Sequence, residues 1–103
     1  MRVIADREVL FDGEGYLNDF YDWSEELFDF LANESGLVAI GDRHWRVVWF
    51  LREFYAVNGR APLNRQVREG TGMSMSEVEK LFPDGINHGA RRLAGLPNPK
   101  GCL

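Results

Sequence analysis

Cys102 is the only cysteine in the chain, and it is the penultimate residue. A thiolate attacks sulfur and carbon electrophiles, and exposure and pKa decide whether a given cysteine can do so. At the ordinary thiol pKa only about 3% is thiolate at pH 7. The nearest fixed charge is the α-carboxylate of Leu103, which opposes ionisation. Through water, a unit charge at about 6 Å is worth roughly 0.7 kcal/mol, or about half a pKa unit. Lys100 can offset an effect of that size, and Arg91 and Arg92 add electrostatic support if the tail folds back on the preceding helix. The thiol is therefore expected to be weakly activated alone and to gain reactivity inside another protein's site.

The residues that position Cys102 read as a presenting arm. Leu96-Pro97-Asn98-Pro99-Lys100-Gly101-Cys102-Leu103 holds two prolines and a glycine, so it cannot continue a helix. Cys102 lies seven positions beyond Gly95, a reach of at most about 24 Å. Pro97 and Pro99 limit the conformations lost on docking, and Gly101 lets the backbone pass a narrow opening. The expectation is one domain over residues 1–95 and a flexible arm over residues 96–103.

Other chemistry-bearing residues have quieter readings. His44, beside Trp45, suits a helix start or packing better than a proton shuttle. His88 approaches Cys102 only if the arm folds back. Trp23, Trp45 and Trp49 are spaced for core or edge packing. One cysteine cannot form an internal disulfide, no Cys/His spacing implies a metal, and no cofactor is expected.

The chain has 103 residues, 45% of them hydrophobic and 13% aromatic, as in one small globular domain. No apolar run is long enough to span a membrane, and the N-terminus lacks an apolar signal core, so a cytoplasmic protein is expected. Residues 1–59 hold five Lys/Arg and twelve Asp/Glu, whereas residues 60–103 hold seven and four. With Arg65, Arg68, Arg91 and Arg92 among short helices, direct nucleic-acid contact is a secondary reading, which the acidic whole-chain balance opposes.

The element pattern is mainly α with a small N-terminal β-hairpin, a compact orthogonal helical bundle. Val3-Ile4 and Val9-Leu10-Phe11 flank a polar stretch and read as the hairpin. Asp22 with Glu25, or Ser24, caps a helix whose inner face is Leu27, Phe28, Phe30 and Leu31, with Gly36 ending it. A longer helix runs from Asp42 to Asn58-Gly59 and is apolar enough to be central. Pro62 opens a third helix through Arg65, Val67 and Arg68, broken at Gly70-Thr71-Gly72. Ser76 and Glu79 form a further capping box. Pro83-Asp84-Gly85 is a turn, and a last helix covers Asn87 to Ala94, ending at Gly95.

From Leu81 the chain reads LFPDGINHGARRLAGLPNPKGCL. This resembles the C-terminal signature of the DsrC/TusE family of sulfur-trafficking proteins. Leu81-Phe82-Pro83 and Gly85 match its turn, Ala94-Gly95-Leu96-Pro97 and Pro99 its bend, and Cys102 its penultimate cysteine. Gly15-Tyr16-Leu17, Trp23-Ser24-Glu25, His44-Trp45, Val48 and Phe54-Tyr55 extend the resemblance over nearly the whole chain. Two departures stand out. Family members that serve sulfite reductase have a second cysteine eleven positions earlier, where this chain has Arg91, so it is closer to the one-cysteine, TusE-like branch. The stretch from Gly70 to Ser76 is also shorter than in typical TusE proteins.

The resemblance implies a carrier subunit, not a stand-alone enzyme, that holds persulfide sulfur on Cys102. It implies a donor of the TusBCD or DsrEFH type and an acceptor such as a tRNA 2-thiouridylase or, as a lesser alternative, a dissimilatory sulfite reductase. A sulfur-responsive regulator that binds protein or DNA is the rival reading.

Overall fold

The computed structural model describes residues 2–4, 7–37 and 39–98, without the side chains of Arg2 and Arg7. The expectations for Ala5-Asp6, and for Pro99, Lys100, Gly101 and Cys102, lie outside the described residues.

Strands β1 (Arg2–Ile4) and β2 (Arg7–Val9) pair antiparallel, with Arg2 opposite Val9 and Ile4 opposite Arg7. That register puts Ile4 and Val9 on one face, and both are buried, while Val3 and Glu8 face out. A lone hairpin is marginal, so this apolar face must rest on the helices. Beyond it, the turn from Asp12 to Tyr16 is closed by the Asp12 N–H donating to the Tyr16 carbonyl at 2.8 Å. A short 3-10 turn, Phe20–Asp22, follows and buries Phe20.

Helix α1 (Glu25–Glu34) is capped by Ser24, whose hydroxyl oxygen accepts from the Leu27 N–H at 3.1 Å. Of the two expected caps, Ser24 is the one used. Its inner face is Leu27, Phe28, Leu31 and Ala32. Phe30, expected inside, is 38% exposed. At 100° per residue it lies about 130° from the centre of that face, further out than Ala32.

Helix α2 (Asp42–Asn58) ends as expected at Gly59, which adopts φ +71° and donates its N–H to the Tyr55 carbonyl. Its buried residues are His44, Val47, Val48 and Leu51. Trp45, Phe50, Phe54 and Tyr55 are half-buried, and Trp49 is 42% exposed. The helix is central, packed by α3, α4 and the last helical segment, but one flank faces solvent.

Helix α3 (Asn64–Thr71) starts two residues after Pro62 and runs through Gly70 and Thr71 to a left-handed cap at Gly72. Gly70 does not break it but lies within the helix, where the Phe50 ring fills the space a Cβ would take. Helix α4 (Met75–Leu81) is capped by Ser74 and Glu77, not by Ser76 and Glu79. Ser74 Oγ accepts from the Glu77 N–H at 3.2 Å, and the Glu77 carboxylate accepts from the Ser74 N–H at 3.4 Å. Both Ser–Glu pairs have the right spacing.

The last helix is wound as a π-helix over Ile86–Arg91 before a final helical turn. It closes at Gly95, φ +78°, where the Gly95 N–H donates to the Arg92 carbonyl and the Leu96 N–H to the Arg91 carbonyl, both at 3.1 Å. This pair of bonds is a Schellman closure.

Candidate functional site

The described chain ends on the segment that would carry Cys102, so the site is the root of that segment and what grips it. Leu96 is 0% exposed and belongs to the main core with Trp23, Leu93 and Ala94. The first residue of the expected arm is thus packed into the body.

Two long side chains hold the bend by its carbonyls. The Trp23 indole N–H donates to the Leu93 carbonyl at 2.9 Å. Its ring lies against Gly95, where a Cβ would come within 2.6 Å of the ring. Arg52, reaching from α2, donates to the Ala94 carbonyl at 2.9 Å and to the Phe20 carbonyl at 3.1 Å. Its guanidinium carbon sits 3.9 Å from the Phe20 ring centre and 4.3 Å from that of Trp23. Burial pulls its pKa down to about 10, because a low-dielectric setting disfavours the charged form. A groove of about 230 Å³ opens beside it, lined by Phe20, Trp49, Arg52, Glu53 and Ala56.

On the other flank the contact is polar. The Asn98 amide donates to Asp12 Oδ2 at 3.0 Å across 86 positions of sequence. Asp12 Oδ1 accepts from the N–H groups of Glu14 at 2.9 Å and Tyr16 at 3.0 Å. Desolvation raises the Asp12 pKa, but the bonds from Tyr16, Asn98, Glu14 and Gly15 outweigh it and leave the carboxyl below its ordinary value. Next to it Tyr16 is buried, and its hydroxyl lies 3.3 Å from His88 Nδ1. Burial, with Glu14 nearby, pushes the Tyr16 pKa up.

The two arginines before the bend hold its supporting helix. Arg91 donates to Asn87 Oδ1 at 2.7 Å and to the Pro62 carbonyl at 2.6 Å, and its buried Nε has no hydrogen-bond partner. Burial lowers its pKa. Arg92 donates to the His88 carbonyl and, at 2.7 Å, to Ser35 Oγ at the end of α1, with Asp84 at 4.0 Å.

His44 takes the helix-start role. Its Nδ1 accepts from the Gly41 N–H at 3.2 Å, which leaves Nε2 to donate to the Leu81 carbonyl at 3.0 Å. Trp45 packs on Phe28, and Trp49 lies edge-on to Trp23. Sequence reasoning assigns nothing to Arg52, places Asp12 only in a turn and Asn98 only in the arm, and pairs none of them. Of the three, only Arg52 carries a signal, as a basic residue set between Trp49-Phe50 and Phe54-Tyr55 of α2. Among the described residues no three His, Cys, Asp or Glu side chains gather as a metal site, and no helix is long and apolar enough to cross a membrane.

The class defined by this geometry is a small, mainly helical domain with an N-terminal hairpin, which grips the root of a C-terminal segment. The family model described as DsrC like protein matches residues 3–103, and the chain belongs to that family. The gamma subunit of the dissimilatory-type sulfite reductase of Nitratidesulfovibrio vulgaris is 38% identical over 92 residues, covering 89% of this chain and 88% of its own. Sulfurtransferase TusE of Pectobacterium atrosepticum is 36% identical over 104 residues, covering 94% of each chain. A crystal structure of dissimilatory sulfite reductase I (DsrI) superposes with a TM-score of 0.91 at 35% identity, over 99% of this chain and 98% of that one. The oxidised gamma subunit (DsrC) from Archaeoglobus fulgidus gives 0.85 at 28%, over 97% and 96%. The tail-motif resemblance and the mainly helical fold are both borne out.

Proposed function

We propose that the protein is a sulfur carrier that loads a persulfide sulfur on Cys102 and hands it to an acceptor in tRNA 2-thiouridine formation. One observation carries this reading: the DsrC-like match runs to residue 103, and so includes the chain's only thiol. The relatives named sulfurtransferase TusE support it.

The chemistry is a pair of thiol exchanges. The Cys102 thiolate attacks the outer sulfur of a donor persulfide. The donor's S–S bond breaks, the donor leaves as a thiolate, and Cys102 now bears the extra sulfur. An acceptor thiolate repeats the attack and frees Cys102, with no net gain or loss of electrons. Gly95, Leu96 and Pro97 set the direction of the arm, and Pro99 and Gly101 present the thiol. Lys100 supplies positive charge beside the thiol, and Arg91 and Arg92 add to it when the arm folds back on the last helix. A cytoplasmic setting, where thiols stay reduced, suits the exchange. The donor is a TusBCD- or DsrEFH-type protein and the acceptor a tRNA 2-thiouridylase. The gamma-subunit relative, at 38% identity, favours a sulfite reductase as the second candidate acceptor.

Incubation with a protein persulfide donor, followed by intact-mass spectrometry, tests the reading. The expected result is a gain of one sulfur atom on the wild-type chain and none on Cys102→Ser. No gain at all, or an equal gain on Cys102→Ser, overturns it. Mixing the loaded protein with a thiouridylase and with a sulfite reductase then shows which one takes the sulfur.

A further inference from the structure

We propose that Asn58 is a modification site, where the chain deamidates through Gly59 and thereby erodes the end of α2. Asn58 is the only one of the six asparagines that precedes a glycine. A glycine nitrogen has no Cβ beside it to shield it, and its backbone angles are the least restricted of any residue. Both residues are exposed, and no atom lies within 4 Å of where a Gly59 Cβ would stand. The pair is thus open to attack and to water. The Gly59 backbone nitrogen, giving up its proton to hydroxide, attacks Cγ of Asn58. The bond from Cγ to the side-chain nitrogen breaks, and ammonia leaves. Water then opens the resulting succinimide ring at either carbonyl. One product has aspartate at position 58 and the other isoaspartate, whose main chain runs through the former side-chain carbon. The net change is water in and ammonia out, with no oxidant or reductant.

In the folded chain both reacting groups are tied to the turn before them. The Asn58 side-chain amide donates to the Phe54 carbonyl at 2.9 Å, and the Gly59 N–H donates to the Tyr55 carbonyl at 2.8 Å. The final turn of α2 must open before the nitrogen can attack, so the rate follows the fraying of that turn. The product closes the turn less well. It lacks the donor that held the Phe54 carbonyl, and it sets a carboxylate at the negative end of the helix dipole. The last turn holds no basic side chain to offset that charge. In the isoaspartate form the added main-chain atom also carries the Gly59 N–H out of register with Tyr55. The erosion is one-way.

The test ages the folded full-length protein in mildly alkaline buffer. Trypsin then releases Glu53 to Arg60 as one peptide, and chromatography with mass spectrometry separates its asparagine, aspartate and isoaspartate forms. This peptide is expected to convert while those bearing the other asparagines do not, and faster still in guanidinium chloride. Val57, which is 84% exposed and outside the reacting pair, adjusts the fraying. Val57→Ala strengthens the last turn and Val57→Gly weakens it. In the folded state Val57→Ala should convert up to about fivefold more slowly than Val57→Gly, and in denaturant the two should match. Asn58→Asp, which makes one product directly, should speed amide hydrogen exchange at Gly59. No conversion at Asn58 in the folded chain, over a time in which the unfolded chain converts, overturns the site. Equal folded-state rates in the two Val57 variants overturn the gating, and unchanged exchange in Asn58→Asp overturns the erosion.

Discussion

The segment from Leu93 to Asn98 is gripped on its two flanks by different chemistry. On the Trp23 and Arg52 side, the body holds main-chain carbonyls with a buried indole and a half-buried guanidinium. On the Asp12 side it holds one side chain with another at the half-exposed rim. Main-chain grips are indifferent to which residues follow the bend, and they fix its path because buried carbonyls left unpaired are costly. A side-chain grip can be released without disturbing the core. The first flank makes a permanent root and the second a reversible contact.

If that contrast holds, substitutions on the carbonyl-gripping flank should cost the most stability. Gly95→Ala forces a side chain into a left-handed conformation and against the Trp23 ring, and should lower stability by about 3 kcal/mol. Thermal melting would show it, at roughly 4–8 °C per kcal/mol for a domain of this size. Arg52→Ala frees the Ala94 and Phe20 carbonyls together and should cost about 2 kcal/mol in urea unfolding. Arg52→Lys should recover little of that, since an ammonium lacks the fork that reaches both oxygens. A near-complete recovery in the Arg52→Lys protein would show that charge, not geometry, holds the bend. Trp23→Phe keeps most of the packing but leaves the Leu93 carbonyl unpaired, a loss of about 1 kcal/mol.

The Asp12 flank should respond to acid more than to truncation. The carboxyl titrates below its ordinary value in the folded chain, so its stabilisation is full above the unfolded pKa and disappears as pH falls through the folded one. Acid unfolding followed by circular dichroism should shift to higher pH in Asp12→Asn. Asn98→Ala should change melting least, by about 0.5 kcal/mol, the low end for a hydrogen bond, because water can reach the half-exposed Asp12 carboxylate. A large drop there would merge the two flanks into one structural anchor.

The sequence disclosed most where local signals stood alone. Asp42 and Gly59 bound α2 without rivals, and the tail from Leu81 to Cys102 carried the family. It misled where signals came in pairs or where distance mattered. Ser74-Met75-Ser76-Glu77-Val78-Glu79 offers two capping boxes with the same spacing, and the chain uses the first. Phe30 is apolar yet off the inner face by helical angle alone. Leu96, surrounded by Gly95 and Pro97, reads as arm but fills the core. The Asp12–Asn98 contact joins residues 86 positions apart, beyond any local pattern.

The contact between Gly95 and the Trp23 ring also governs inheritance. Position 95 is barred twice, once by its φ of +78° and once by the indole above it. Shrinking Trp23 would lift only the second bar. Drift at position 23 alone therefore leaves the backbone bar standing, and the bend favours glycine at position 95 whatever ring lies above it. Asp12 is constrained in another way, because one of its oxygens also accepts from the Glu14 and Tyr16 N–H groups, so a replacement there must keep an acceptor.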